Sequence, residues 1–186
     1  MTDLAPGFTS VLEAQACFRA VLNAFSTPGS PVSLPVSLTP PHGLSMASAA
    51  LLLTLADAQT KIALPEGSPA QPWLAFHTGA PFSPDSEADF CVATKRPALS
   101  TLRQGSDAAP EDSATLILDV ERLEGPPFRL SGPGLKDPVT VGLPLDPAFL
   151  TDWRAQTHNA PRGVDILLCA GSQMLALPRS LQIEEG

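Results

Sequence analysis

Twenty-one prolines in 186 residues, roughly twice the average usage near 5%, are spread along the whole chain among Gly, Ser and Asp. Proline cannot donate to a helix or sheet ladder, so the chain is cut into many short segments with stiff connections. The length suits one domain spanning residues 1–186. Apolar residues at 44% against 16% charged allow that domain an ordinary core rather than disorder.

Charge narrows the partners. Eleven Lys and Arg against nineteen Asp and Glu give a net charge of −8, with no basic run, which disfavours nucleic acid and anionic membrane surfaces. The longest nearly uncharged apolar stretch, Met46 to Ala56, has eleven residues, and a bilayer span needs about twenty. Asp3 and Glu13 fall where a secretion signal needs positive charge and an unbroken apolar run. A cytoplasmic protein is expected. Cys17, Cys91 and Cys169 stand far apart among apolar neighbours, as buried free thiols do in a reducing compartment. With no C-x-x-C or H-x-x-x-H spacing, no metal site is expected.

Ser10 followed three residues later by Glu13 forms a capping box, so a helix begins there. Val11, Ala14, Phe18, Val21 and Phe25 follow at gaps of three and four as its apolar stripe, and Gln15, Arg19 and Asn23 share another face. Pro28-Gly29 ends it. Ser45 can cap a second helix, Met46 to about Asp57, apolar nearly all round and therefore buried. Shorter apolar runs then predict strands at Thr60–Leu64, Trp73–Phe76, Phe90–Thr94, Ala114–Val120, Phe128–Ser131, Val164–Cys169 and Met174–Leu177. Leu99–Arg103 and Pro147–Thr157 read as short helices. Ala114–Leu118 and Val164–Leu168 are almost continuously apolar, which predicts a central sheet covered on both faces. Ala170-Gly171-Ser172 reads as a hairpin, so the sheet is mixed.

Chemistry-bearing residues are sparse. His77, placed by this reading at a strand end before Thr78-Gly79, is the best functional histidine, against the alternative of a structural histidine at a turn; His42 and His158 read as loop residues. Gly171-Ser172-Gln173 and Leu130-Ser131-Gly132 both fail the nucleophile-elbow pattern. Gly132-Pro133-Gly134 is a turn rather than a phosphate cradle, because Pro138 follows too soon for a helix. The carboxylates of Asp85, Glu87, Asp89, Glu111 and Asp112 read as solvated edges. Arg19, Arg162 and Arg179 present planar donor forks that suit anion binding or an interface salt bridge equally.

Phe18-Arg19, Phe25-Ser26-Thr27-Pro28-Gly29, Leu51 to Asp57, Phe76-His77-Thr78-Gly79-Ala80-Pro81, Ser113 to Ile117, Leu130-Ser131-Gly132-Pro133-Gly134, Gly163 to Leu167 and Leu177-Pro178-Arg179 occur in that order. As a set they resemble the PhnH family, a subunit of the bacterial carbon–phosphorus lyase core complex. The resemblance implies a fold like that of pyridoxal-phosphate-dependent transferases without the cofactor, and a homodimer. It also implies partner subunits PhnG, PhnI, PhnL and PhnJ, with the first three sharing in transfer of ribose triphosphate from ATP to an alkylphosphonate. No cofactor is expected, since Lys61, Lys95 and Lys136 have no convincing imine site around them. Two roles stay open: an assembly subunit without a ligand site, or a subunit lending Arg19, His77, Arg162 and Arg179 to a shared ATP or phosphonate pocket. Convergence of the four side chains distinguishes them.

Overall fold

A computed structural model describes residues 4–186. Asp3, on which the reading against a secretion signal partly rests, lies outside them. Helix α1 (Val11–Ser26) starts at the predicted capping box, where the Glu13 carboxylate accepts from the amides of Thr9 and Ser10 at 2.6 and 3.3 Å. Its predicted core stripe is buried only in part, with Val21 buried and Ala14 and Phe25 half-buried. Cys17, Val21 and Ala24 are buried, whereas Val11 is 85% and Phe18 47% exposed. The small side chains of Cys17 and Ala24 let α1 lie close on helix α2 (Met46–Leu55), which turns the bulky stripe partly to solvent. Helix α2 itself is buried over Ala47–Leu52 as its composition requires, and Ser45 caps it by accepting from the Ser48 amide at 3.0 Å.

The central sheet is mixed and six-stranded. Strands β2 (Ile62–Ala63), β3 (Phe90–Ala93), β4 (Thr115–Asp119) and β7 (Asp165–Ala170) run parallel side by side. Strand β8 (Gln173–Leu177) turns back along β7 through the predicted hairpin, and β1 (Val32–Ser33) adds to its far edge, giving the order β1-β8-β7-β4-β3-β2. Period-two alternation explains the continuously apolar central strands. Ile117, Leu167 and Cys169 join a core under α1, α2 and α3, while Leu116, Leu118, Ile166 and Leu168 join a second core on the opposite face.

That second core is closed by helix α4 (Ala148–Thr157) through Phe149 and Trp153, and by a three-stranded antiparallel sheet. The small sheet has the order β6-β5-β9, from β5 (Pro127–Ser131), β6 (Val139–Gly142) and β9 (Gln182–Glu185). Phe128–Ser131 is a strand as predicted but lies in this second sheet. Strands β1, β6 and β9 carry no apolar run and were not expected. Leu99–Thr101 is a 3-10 turn rather than a helix reaching Arg103.

One predicted strand is a helix. Trp73–Phe76 lies within α3 (Gln71–Thr78), with Pro72 in its first turn and Gly79 closing it at φ 69°. A four-residue apolar run carries no period of its own. Trp73 and Leu74 enter the core while Phe76 is 72% exposed, so His77 stands on a helix and not at a strand end.

Candidate functional site

The four candidate side chains do not converge. Arg162 and Arg179 share one cleft of about 300 Å³ with Pro110, Ala160, Pro161 and Ser180. Arg19 projects from the exposed side of α1, and His77 belongs to α3, both on the opposite face of the central sheet.

Arg179 follows the end of β8, beside Asp165 at the start of β7, so antiparallel pairing brings the two together. Its Nη1 donates to the carbonyls of Pro110 and Gly163 at 2.8 and 2.9 Å and to the Ser113 hydroxyl. Its own backbone amide donates to Asp165 at 2.7 Å, and its Nη2 lies 3.6 Å from the other carboxylate oxygen. The guanidinium thereby ties the loops that lead into β4 and β7 to one strand end. Burial pushes the Asp165 carboxyl above its ordinary range, outweighing the amide and charge of Arg179. Arg162 is more open, 42% exposed, and pairs with Asp107 at 3.1 Å.

His77 is occupied by the chain's own N-terminal segment. Its Nε2 donates to the Ala5 carbonyl at 3.1 Å, and Trp73 Nε1 donates to the same oxygen at 2.7 Å. The ring packs between Trp73 and Phe76, with centroids 4.7 and 5.0 Å away. Gly7 crosses it so closely that a Cβ there would stand 2.9 Å from Nδ1. His77 and Trp73 thus clasp residues 5–7.

The acidic residues after β2 form partly paired edges. Asp89 accepts from Arg103 at 2.6 Å and from the Lys61 amide at 2.8 Å, Arg103 also reaches Asp112 at 3.4 Å, and Lys61 pairs with Glu87 at 3.3 Å. Lys61, Lys95 and Lys136 are all exposed. Cys17, Cys91 and Cys169 are free and buried. Among the described residues, no group of three or more His, Cys, Asp or Glu gathers as metal ligands would.

Sequence reasoning missed two polar clusters. Arg96, with its side chain 9% exposed, forks onto Asp146 at 3.2 Å and Asp152 at 2.5 Å and lies over the Phe149 ring at 5.7 Å. Burial pushes the Asp146 carboxyl up, but the hydrogen bonds and charge of Arg96, with the first amides of α4, hold it below the ordinary range. Asp119, ending β4, accepts from the Ser45 amide at 3.0 Å and the Ser48 hydroxyl at 2.5 Å, closing the start of α2. A local signal existed for each: Asp146-Pro147 ahead of a helix, and a lone carboxylate ending an apolar strand. Both clusters brace elements and are internally satisfied.

Comparison with known proteins supplies the remaining finding. Residues 6–184 match the model of a family described as bacterial phosphonate metabolism protein (PhnH). A Rhizobium meliloti protein, alpha-D-ribose 1-methylphosphonate 5-triphosphate synthase subunit PhnH, is 36% identical over 185 residues, covering 94% of this chain and 92% of that one. A Stutzerimonas stutzeri protein described as a C-P lyase subunit, HtxG, is 32% identical over 172 residues, covering 91% and 85%.

Proposed function

The chain belongs to the PhnH family, and from that membership we propose that it is a non-autonomous subunit of a carbon–phosphorus lyase assembly in phosphonate breakdown. Its partners in this reading are PhnG, PhnI, PhnL and PhnJ. With the first three it takes part in transfer of ribose triphosphate from ATP to an alkylphosphonate, in the cytoplasm where ATP is available. The observation carrying the proposal is the match over nearly the whole chain to a relative named as a subunit of the triphosphate synthase. The polar side chains support the non-autonomous part: Arg179, His77 and Arg96 are spent on internal bonds. The whole chain acts as one such unit, and the kinship with the pyridoxal-phosphate transferase fold belongs to the same proposal.

A second reading keeps a ligand role for the cleft where Arg162 and Arg179 meet, since its volume of about 300 Å³ reaches the lower bound for small-molecule sites. Phosphate oxygens would lie against Arg162, the more exposed of the two.

Deletion of the chain should abolish growth on an alkylphosphonate as sole phosphorus source, and the purified chain should show no turnover of ATP with alkylphosphonate. Normal growth of the deletion strain, or turnover by the chain alone, would refute the subunit reading. Arg162→Ala separates the two roles: unchanged growth and melting temperature favour assembly alone, whereas lost growth with an intact fold favours the ligand cleft.

A further inference from the structure

The face of α3 that carries His77 is filled by the chain itself. Leu4, Ala5 and Phe8 are half-buried against the core beneath α1 and α2, while Pro6 among them faces solvent. Pro6 donates no amide and disfavours helix at Ala5, which keeps this arm extended. Its grip is narrow. Among the described residues, the Ala5 carbonyl is the only polar group of residues 4–8 with a hydrogen-bond partner, and it takes two donors, Trp73 Nε1 and His77 Nε2. Gly7 then crosses the imidazole, where a Cβ would stand 2.9 Å from Nδ1 and 3.1 Å from Cε1. No positive φ requires glycine at this position, so the ring contact alone excludes a side chain. The groove thus accepts a carbonyl followed two residues later by glycine, on a chain that proline holds extended. The arm also has a pivot. Glu13 holds the Thr9 and Ser10 amides, so residues 4–8 can lift without unwinding the start of α1.

We propose that the Trp73–His77 groove is a recognition site for an extended small-Pro-Gly segment of a partner protein, and that residues 4–8 are its displaceable intramolecular occupant. Aromatic-lined grooves take proline-held segments because such segments have little conformational entropy left to lose. The arm itself shows the chemistry that fits. Its hold is weak, since ordering each of its residues costs backbone entropy and only one carbonyl and three half-buried side chains offset that cost. A segment with so few backbone hydrogen bonds belongs to the low-stability end of a fold. Lifting it strips the acceptor from Trp73 Nε1, on a residue only 1% exposed, and from His77 Nε2. A buried indole N–H left unpaired is costly, so whatever replaces the arm must bring a carbonyl to the same point. Phe76, 72% exposed and edge-on to His77 at 5.0 Å, adds an apolar wall that the arm leaves uncovered. Tethering gives the arm an effective concentration of about millimolar, so a segment in trans binds in proportion to the fraction of open arm. This groove is independent of the subunit role proposed above.

Indole N–H signals in NMR spectra of the full chain test it, because the two tryptophans report separately. Trp153 Nε1 donates to the Leu181 carbonyl at 3.0 Å in the core on the other face of the central sheet, and serves as the internal control. In the wild-type chain the Trp73 indole N–H should exchange with solvent at least a hundredfold faster than that of Trp153, since arm opening exposes it without global unfolding. A synthetic peptide of residues 4–9 is the probe. It should shift the Trp73 signal saturably in Gly7→Ala, whose arm fits poorly, and at least tenfold more peptide should be needed in the wild type. The same peptide carrying Gly7→Ala should bind at least tenfold more weakly, and the Trp153 signal should stay in place throughout. Phe8→Ser loosens the arm without touching the two donors and should respond as Gly7→Ala does, which keeps the test if Gly7→Ala folds poorly. Equal exchange of the two indoles, no shift of Trp73 by the peptide in either variant, or equal affinity for the two peptides would each overturn the proposal. A Trp73 signal that moves with protein concentration in the absence of peptide would assign the groove to the arm of a second copy and refute a partner segment. None of these results bears on growth of the deletion strain, so the groove and the subunit role fail separately.

Discussion

Arg179→Ala tests whether the guanidinium at the β8 end is a brace or a ligand contact. The substitution removes donors from the Pro110 and Gly163 carbonyls and the Ser113 hydroxyl, and leaves Asp165, 18% exposed, without its cation. Breaking a buried pair by deleting one partner costs about 3–5 kcal/mol, and the 24% exposure of Arg179 argues for the lower end, about 3 kcal/mol. In a chain of this length that lowers the melting temperature by about 6–12 °C. Asp165 gives the effect a pH signature. Its folded-state affinity for a proton is already raised, so its contribution to stability is fullest in acid and is lost as pH rises through its raised pKa. Removing Arg179 raises that affinity further, so the deficit of the variant should shrink as pH falls into the carboxylate range. In Arg179→Ala/Asp165→Asn the loss should be smaller than the sum of the two single losses, because the uncompensated charge is gone. Thermal melts of the four proteins at neutral and acid pH provide the measurement. A change below about 1 kcal/mol in Arg179→Ala, accompanied by loss of growth on phosphonate, would refute the brace and make Arg179 a ligand contact.

Arg96→Ala should cost about 2 kcal/mol through the lost fork on Asp146 and Asp152 and the lost contact with Phe149. The Asp146 carboxyl is held low, so the stability it contributes is present above the ordinary aspartate range and lost as pH falls through its folded pKa; acid denaturation curves of wild type and variant should converge there. Gly7→Ala should destabilise by about 1 kcal/mol, because the new Cβ meets a His77 ring held between Trp73 and Phe76, and urea melts should show His77→Ala relieving most of that cost. Burial first, then the carboxylates of Asp85 and Asp89, push the Cys91 thiol up to about 12, and Cys17 and Cys169 are buried and raised as well. A colorimetric thiol assay should therefore detect no fast-reacting group in the native chain at neutral pH and three after unfolding, and one fast native thiol would contradict this.

What the sequence determined alone was whatever is written in short-range chemistry. Ser10 with Glu13, and Ser45 ahead of Met46, start helices because the capping groups lie within one turn of the amides they satisfy. The apolar runs at Leu116–Leu118 and Ile166–Leu168 require cover on both faces, and Gly171 turns β7 back into β8 within a few residues. Family membership was legible too, since it rests on ordered motifs rather than on contacts. Tertiary structure decided the rest. The face on which α1 is buried depends on how closely Cys17 and Ala24 allow α2 to approach, and amphipathic periodicity does not encode that distance. Trp73–Phe76 became a helix because Pro72, Gly79 and the core beneath Trp73 and Leu74 act together. The partners of Arg179 and Arg96 lie up to 69 and 56 residues away in the chain. An isolated arginine in sequence is the same residue whether it braces loops or binds a ligand, and only the packed fold brings the carbonyls and carboxylates that distinguish the two.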